Sequence, residues 1–244
     1  MKKAWYLGLK EADVGDRAIL IGDPDRVDRI ASYLEAPVLH PVSRGLRSVT
    51  GTFRGRSITA CAFGMGAPIA TIVLHELADL GVSRFLRIGT AMYFPPAEGG
   101  EYLISGSAIS FEGTSQSYTD RVPLPPDEAL VASVKAAAER AGVQARRGMY
   151  ATFDAFYRDM FGIDEDGRRR VEANRKMLME NNALAIDMET SALLAAGLAL
   201  NVACATLCLG TVDALSQAKL PPDELAEGET RLFEIALDGL ASLD

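Results

Sequence analysis

Along most of the chain, short runs of consecutive apolar residues alternate with segments in which apolar residues recur every three or four positions. The runs at residues 17–22, 84–90, 101–110 and 202–212 are typical of strands buried on both faces of a sheet. The segments between them have the periodicity of amphipathic helices. Because strands and helices alternate, the pattern predicts an α/β fold with a mainly parallel sheet flanked by helices.

Turn and capping signals add the remaining elements. A hairpin is predicted at residues 48–64, turning near residues 54–56, and a further strand around Met149. Helices are predicted at residues 25–34, 67–81, 127–142, 166–180 and 188–200, with a final helix from about residue 223. The chain has no internal repeat, low-complexity tract or long linker, so residues 1–244 are predicted to form a single domain.

Composition and charge narrow the class of protein. Hydrophobic residues make up 48% of the 244 residues and charged residues 24%, which suits a globular core. The formal net charge of −8 is opposite in sign to a nucleic-acid-binding surface, so we expect no nucleic-acid partner. The three cysteines lie in apolar runs, which predicts buried thiols in a reducing compartment. Without a signal peptide or a long apolar run, we expect a cytoplasmic protein with no membrane partner.

Candidate ligand-binding residues follow the predicted strands. Gly22 ends the first strand, Gly64 ends the hairpin, Arg87 and Thr90 close the strand at 84–90, and Asp213 follows the strand at 202–212. Ligands of parallel sheets bind outside the carboxyl ends of the strands, so these residues are expected to meet at one edge. Each also has an ordinary structural interpretation, such as a turn glycine or a capping acid.

Four segments together resemble the nucleoside phosphorylase family, which includes uridine phosphorylases and hexameric purine nucleoside phosphorylases. They are GDPDRV at residues 22–27, FGMGAPIATIVLHEL at 63–77, LRIGT at 86–90 and DMETSALL at 187–194. Their order and spacing resemble the family's over nearly the whole chain, and the uridine branch looks closer than the others. The resemblance implies a single-domain three-layer α/β/α fold with a mixed, mostly parallel central sheet.

The resemblance assigns residues to phosphate and ribose. Phosphate would be bound by Gly22, Arg26, Arg87 and Thr90, together with Arg44 reaching from a neighbouring subunit. Arginine offers forked donors that match phosphate oxygens, although Arg44 could instead be an ordinary loop residue. Ribose would be bound by Glu189, Met188 and Tyr6, with Tyr6 at the position of the family's histidine. Glu189 could equally be an acid favoured at a helix N-terminus.

The positions assigned to the base differ from the uridine branch. Phe156 is retained, but Met160 and Gly162 occupy the positions of a glutamine and an arginine that read uracil in that branch. Asp213 matches the acid that purine phosphorylases use on the leaving base, with Val212 in place of the usual serine. The alternative for Asp213 is a turn-capping acid. Ala91 and Met92 stand where the family has a glycine-rich stretch, and their side chains add bulk at that place.

The activity implied by the resemblance is phosphorolysis of a nucleoside to free base and (deoxy)ribose 1-phosphate, with Arg87 and Asp213 as catalytic residues. Asp213 slightly favours purine nucleosides, and uridine phosphorolysis is the alternative. A nucleosidase of the same fold and a non-catalytic nucleoside-binding relative also stay open. Inorganic phosphate would be the co-substrate, with no metal or organic cofactor. The family implies a homo-oligomer built from dimers, up to a hexamer.

Overall fold

The computed structural model describes residues 2–243 as a mixed sheet surrounded by helices. The strands are β1 (Arg17–Ile21), β2 (Glu35–Leu39), β3 (Ser48–Phe53), β4 (Arg56–Ala62), β5 (Arg84–Tyr93), β6 (Tyr102–Phe111), β7 (Ala145–Phe153), β8 (Ala183–Asp187) and β9 (Ala203–Asp213). The helices are α1 (Asp25–Ala31), α2 (Ala67–Asp79), α3 (Glu128–Arg140), α4 (Glu165–Glu180), α5 (Thr190–Leu200) and α6 (Pro222–Ala241). Short 3₁₀ turns lie at Glu11–Asp13 and Ser115–Ser117, and a π-helical turn lies at Phe156–Phe161.

The strand order is β2-β3-β4-β1-β5-β8-β7-β6-β9, and β9 returns to pair with β5. Five strands, β5, β8, β7, β6 and β9, therefore close on themselves, while β1 to β4 extend from β5 as an open sheet. In the described chain, five strand pairings are parallel and four are antiparallel. The predicted mixed, mostly parallel sheet is confirmed, with the parallel pairings in a narrow majority.

Both faces of the sheet are covered by helices because its central strands are apolar on both sides. In β1, Ala18 and Leu20 point into a core cluster shared with α2 and α5. Ile19 and Ile21 alternate with them and join a second cluster with α1, α3 and α6. This period-two alternation in a fully buried strand produces the three-layer α/β/α arrangement that was predicted. A third, smaller cluster joins β5, β7 and β8 to α4.

The hairpin prediction is confirmed by β3 and β4, whose turn has φ of +48° at Arg54 and +75° at Gly55. Positive φ at both turn residues matches the right-handed twist of the strands. Asp127 caps α3 by accepting a hydrogen bond from Leu130 N at 2.8 Å.

Two strands were absent from the sequence prediction. Strand β2 is an exposed edge strand, so it lacks the apolar pattern that marks a buried strand. Strand β8 is only five residues long and lies just before α5, where a short apolar run cannot be distinguished from the first turn of a helix. The predicted helix at 188–200 accordingly begins later, at Thr190.

Within residues 2–243, no helix has the length and apolar character needed to cross a bilayer.

Arg17 is a buried arginine at the start of β1, only 1% exposed. Its Nη1 donates to the carbonyls of Leu240 and Leu243, at 2.6 Å and 2.8 Å, and its Nε donates to Asp16 at 2.8 Å. These bonds go to carbonyls in and just after the last turn of α6, where the regular helical hydrogen bonds end. Arg17 therefore fixes the end of α6 to β1.

We expect Arg17→Met to lower the free energy of unfolding by about 1–3 kcal/mol, because two carbonyls, one of them in a buried hydrogen bond, lose a charged donor. Chemical denaturation would measure the change. The control is Arg169→Met, whose arginine is exposed and pairs only with Glu165 and Asp166 on its own helix. The control should stay within about 0.5 kcal/mol of the wild type. Equal stability of the two variants would contradict this role of Arg17.

Candidate active site

A cavity of about 530 Å³ opens at the carboxyl ends of β1, β4, β5, β8 and β9. Its volume lies within the usual range of small-molecule sites. Most residues assigned from the sequence line it together: Gly22, Arg26, Arg87, Thr90, Phe156, Met160, Met188 and Glu189. The edge of the sheet predicted to bind a ligand is therefore where the cavity lies.

The strand register explains why these residues meet. Ile21, the last residue of β1, pairs with both Ala62 of β4 and Ile88 of β5, so Gly22 follows directly at the common edge. A Cβ atom on Gly22 would lie 3.0 Å from the carbonyl oxygen of Gly64. Gly64 itself has φ of +86°. Glycine is needed at both positions, one for close approach and one for backbone conformation.

The polar centre of the cavity is an ion pair between Arg87 and Glu189, both 5% exposed. Arg87 Nη2 donates to Glu189 Oε2, and Glu189 Oε1 accepts from the backbone N–H of Gly66 at 2.8 Å. Arg87 Nη1 lies 3.3 Å from Asp187 Oδ2 and donates to Cys208 Sγ at 2.7 Å. Burial opposes the charge, yet the pKa of Arg87 is raised by Cys208 and the two carboxylates. Arg87 is thus a fixed cation.

The carboxylate of Asp187 is itself held in place by hydroxyl groups. Asp187 Oδ1 accepts from Thr152 Oγ1 at 2.8 Å, and Oδ2 accepts from Thr190 Oγ1. Thr190 in turn lies 3.0 Å from the hydroxyl of Thr206. These groups come from β7, α5 and β9, so three elements orient the carboxylate that neighbours Arg87.

Arg26 lies at the opposite rim of the polar region. Its Nη2 donates to Glu229 Oε1 of α6 at 2.5 Å, and its Nε is 3.9 Å from Asp23 Oδ2. The Nε atoms of Arg26 and Arg87 are both buried without a hydrogen-bond partner among the described residues. Arg26 and Arg87 nevertheless bring two cationic guanidinium groups, with forked donors, to the lining of one cavity, which indicates a site for an anion.

The other half of the cavity is apolar. Met92 of β5 is paired in register with Ile186 of β8 and with Val212 of β9. Met160 and Phe161, from the π-helical turn, pack in the same cluster. An apolar surface of this kind suits the flat ring of a base, with a charged centre beside it for sugar and phosphate.

Arg44 and Tyr6 do not line this cavity; the Arg44 guanidinium lies 4.7 Å above the Tyr6 ring. Arg44 has φ of +53°, and Ser43 Oγ donates to the Tyr6 carbonyl oxygen at 2.5 Å. The two residues therefore form a pair of their own, apart from the site in the same chain. That Arg44 acts in a neighbouring subunit stays a prediction, whereas Tyr6, which was predicted to bind ribose, does not line the cavity of its own chain.

Asp213 is partly exposed at the end of β9 and is not among the residues lining the cavity. Its Oδ1 accepts from the backbone N–H groups of Leu215 at 2.7 Å and Ser216 at 2.9 Å. The turn-capping interpretation therefore describes its contacts. Burial raises the pKa of nearby Tyr93, and the charge of Asp213 adds to that effect.

Several residues of the polar centre were absent from the sequence prediction. Asp187 could have been found, because it is an acid directly after a short apolar run. Cys208 and Glu229 carry no such signal, since one looks like a core thiol and the other lies within a helix. Arg158, which lies between Phe156 and Met160, donates to Asp164 at 2.9 Å. No group of three potential metal ligands occurs within residues 2–243.

Comparison with known proteins agrees with this geometry. The model of the family described as the phosphorylase superfamily matches residues 16–238. The chain belongs to the phosphorylase superfamily. A guanosine phosphorylase of Halorubrum lacusprofundi is 32% identical over 197 residues, covering 80% of this chain and 77% of the relative. Uridine phosphorylases of Treponema pallidum (32% identical, 79% of this chain and 76% of the relative) and Escherichia coli (29%, 78% and 78%) are similarly close. The enzyme class predicted from the sequence, a pentosyltransferase, is confirmed.

We expect inorganic phosphate to raise the melting temperature of this phosphorylase, because the anion can bind the guanidinium groups of Arg26 and Arg87 that line the cavity. At a phosphate concentration a hundredfold above its dissociation constant the stabilisation is about 2.7 kcal/mol. That is a rise of roughly 5–10 °C for a chain of this size. Arg26→Met should lose most of the rise in a thermal-shift titration.

The matched control is Arg29→Met, because Arg29 pairs with the same Glu229 but does not line the cavity. Each variant is compared with itself in the absence of phosphate, so differences in basal stability cancel. A full phosphate response in Arg26→Met would contradict the assignment of the anion site.

Proposed function

We propose that this enzyme catalyses phosphorolysis of a nucleoside, giving the free base and (deoxy)ribose 1-phosphate. The proposal depends mainly on one observation, the buried Arg87–Glu189 ion pair between an anion-binding rim and an apolar surface. A substrate that fits must carry an apolar ring, hydroxyl groups and a nearby anion. A nucleoside with inorganic phosphate has these three parts.

Each part of the cavity has a role in the proposed reaction. Phosphate would be bound by the backbone at Gly22, by Arg26 and Arg87, and by the hydroxyl of Thr90. Glu189 would accept hydrogen bonds from the ribose hydroxyls, since a carboxylate has about four acceptor sites and two are used here. Met188 would pack against the sugar. Because both substrates are positioned by a pre-formed network, placement supplies much of the rate enhancement.

In the proposed step a phosphate oxygen forms a bond to the anomeric carbon while the glycosidic bond breaks. The sugar passes through a state with oxocarbenium character, which the adjacent phosphate and Glu189 carboxylate stabilise by their negative charge. This chemistry requires inorganic phosphate as co-substrate and no metal or organic cofactor. Absence of a cofactor is part of the proposal.

Two other activities fit the same fold. A nucleosidase uses water and would have no need of two arginines lining the cavity, so Arg26 and Arg87 favour phosphorolysis. A non-catalytic binding protein would keep the pocket without turnover, and the bulk of Met92 is the feature that favours it. Dependence of base release on phosphate distinguishes all three.

The proposal also concerns which base is released, a purine or a pyrimidine. The relatives are named for guanosine and for uridine, so both classes of nucleoside are supported. The preference for purines was based on Asp213, and the backbone bonds of its carboxylate account for that residue without a role in catalysis. Uridine phosphorolysis is therefore supported at least as well as purine phosphorolysis.

Partners and location also belong to the proposal. Nucleoside and phosphate are the small-molecule partners. If Arg44 and Tyr6 complete a neighbouring site, the smallest active unit is a dimer, and a hexamer would contain three dimers. The oligomeric state, the cytoplasmic location and the absence of a nucleic-acid partner stay predictions.

We expect release of free base from uridine, thymidine, inosine, guanosine or adenosine only when inorganic phosphate is present. Chromatographic separation of base and nucleoside would measure it, with sugar 1-phosphate as the second product. Release in the absence of phosphate would favour the nucleosidase. Absence of release from all five in a folded protein that is stabilised by phosphate would favour the binding protein.

Glu189→Gln is expected to lower kcat/KM by ~10²-fold, because the amide has one acceptor oxygen and presents a donor toward Arg87. Steady-state kinetics with the best nucleoside of the panel would measure the loss. The control is Glu101→Gln, whose glutamate pairs with Arg146 away from the cavity. Equal losses in the two variants would contradict a ribose-binding role for Glu189.

A further inference from the structure

We propose that the base is bound by apolar contact alone and leaves as its unprotonated anion, so that the acidity of the leaving base determines which nucleosides are cleaved. This inference depends on the proposed phosphorolysis and concerns the end of the same cavity that would hold the base. It names the substrate class, which is nucleosides whose free bases are stable as anions, whether purine or pyrimidine.

The side chains around the base end offer almost no hydrogen-bonding groups. The wall consists of Met92, Met160, Phe161, Ile186 and Val212. Thr211 supplies a hydroxyl, a neutral group that is a weak acid. Without charged or amide donors, the site cannot strongly reject one base in favour of another by leaving polar groups unpaired.

The two positions where the uridine branch reads its base cannot do so here. Met160 is apolar and 3% exposed. Gly162 has φ of +68°, and a Cβ atom there would lie 2.8 Å from the Cα atom of Arg168. The backbone at residue 162 therefore has no room for a side chain of any kind, so the missing arginine cannot be restored at this position without moving α4.

Three acidic side chains line the cavity, and all of them lie beside Arg26 or Arg87 at its polar end. They are Asp23, Asp187 and Glu189. Asp23 accepts from the backbone N–H of Asp25 at 3.0 Å, and the other two carboxylates are bound to Arg87. Neither histidine lines the cavity: His40 is 3.1 Å from Thr50 Oγ1, and His75 stacks on Tyr118. No side chain lining the cavity is therefore placed to protonate the base as it leaves.

The chemistry balances without an enzyme acid. The glycosidic bond breaks with both electrons going to the base nitrogen, while a phosphate oxygen forms the new bond to the anomeric carbon. The base leaves as an anion and takes a proton from water after release. The activation barrier for cleavage then depends directly on the stability of that anion, because no proton transfer neutralises the negative charge that develops on the base in the transition state.

Arg175 offers the main competing interpretation. Its Nη2 is buried without a hydrogen-bond partner among the described residues. It borders a void of about 10 Å³ that lies behind Met92, Met160 and Ile186, on the side away from the nucleoside cavity. Methionine side chains are flexible, so displacement of Met160 would let Arg175 reach a bound base. The experiment must therefore separate apolar binding from reading by Arg175.

The test measures single-turnover rates with saturating phosphate for 5-fluorouridine, uridine and 5-methyluridine, whose bases differ in acidity and little in shape. We expect rates to fall in that order, by on the order of tenfold or more across the series. Asp213→Asn and Arg175→Met should each retain this slope of rate against acidity. Arg169→Met is the surface control for both variants.

Three results would overturn the inference while leaving phosphorolysis intact. A flat series would show that the enzyme protonates the base. A steeper series in Asp213→Asn would identify that residue as the acid. A loss of rate in Arg175→Met, together with an unchanged rate in Arg169→Met, would show that Arg175 contacts the base. If no nucleoside releases base with phosphate, the proposed function itself fails, and this inference fails with it.

Discussion

The buried ion pair between Arg87 and Glu189 is the interaction on which the rest of the site depends. Taking an arginine and a carboxylate out of water is costly, and well-packed apolar residues often stabilise a fold as much or more. Here the charged groups are retained at 5% exposure and are joined by Asp187 and the thiol of Cys208. Burial raises the pKa of that thiol to about 11, so it stays neutral beside the arginine. The network therefore contributes more to fixing the positions of these side chains than to the stability of the fold.

Strand β5 places the network because it is paired with three other strands. It is paired with β9 along its whole length, with β1 along its first half and with β8 at its end. Arg87, Thr90 and Met92 follow one another along it, so a single strand contributes to both the polar and the apolar halves of the cavity. The register shift between Ala91 and Met92 lies at the boundary between the polar half and the apolar half of the cavity. Because β5 is one of the five strands that close on themselves, it has little freedom to move.

Sequence reasoning was successful where a pattern has a local physical cause. The buried strands and the glycine at residue 22 follow from rules that act within a few residues. The phosphate and ribose residues were assigned by resemblance, and all of them except Arg44 and Tyr6 line one cavity. What the sequence could not show depends on contacts far apart along the chain. Nothing near Glu229 indicates that it meets Arg26, and nothing near Asp213 distinguishes a catalytic acid from a residue that caps a turn. Strand β2 was missed because it lies at an exposed edge.

Helix α6 packs against β9, β5 and β3 and connects the two ends of β1. Glu229, in the first half of the helix, holds Arg26 beyond the carboxyl end of β1, and at the end of the helix the Leu240 and Leu243 carbonyls hold Arg17 at the amino end of β1. The helix therefore connects the cavity to the opposite side of the molecule. We expect a substitution in the last turn of α6, far from the cavity, to tilt the helix. The tilt would move the Glu229 carboxylate, which positions the Arg26 guanidinium group.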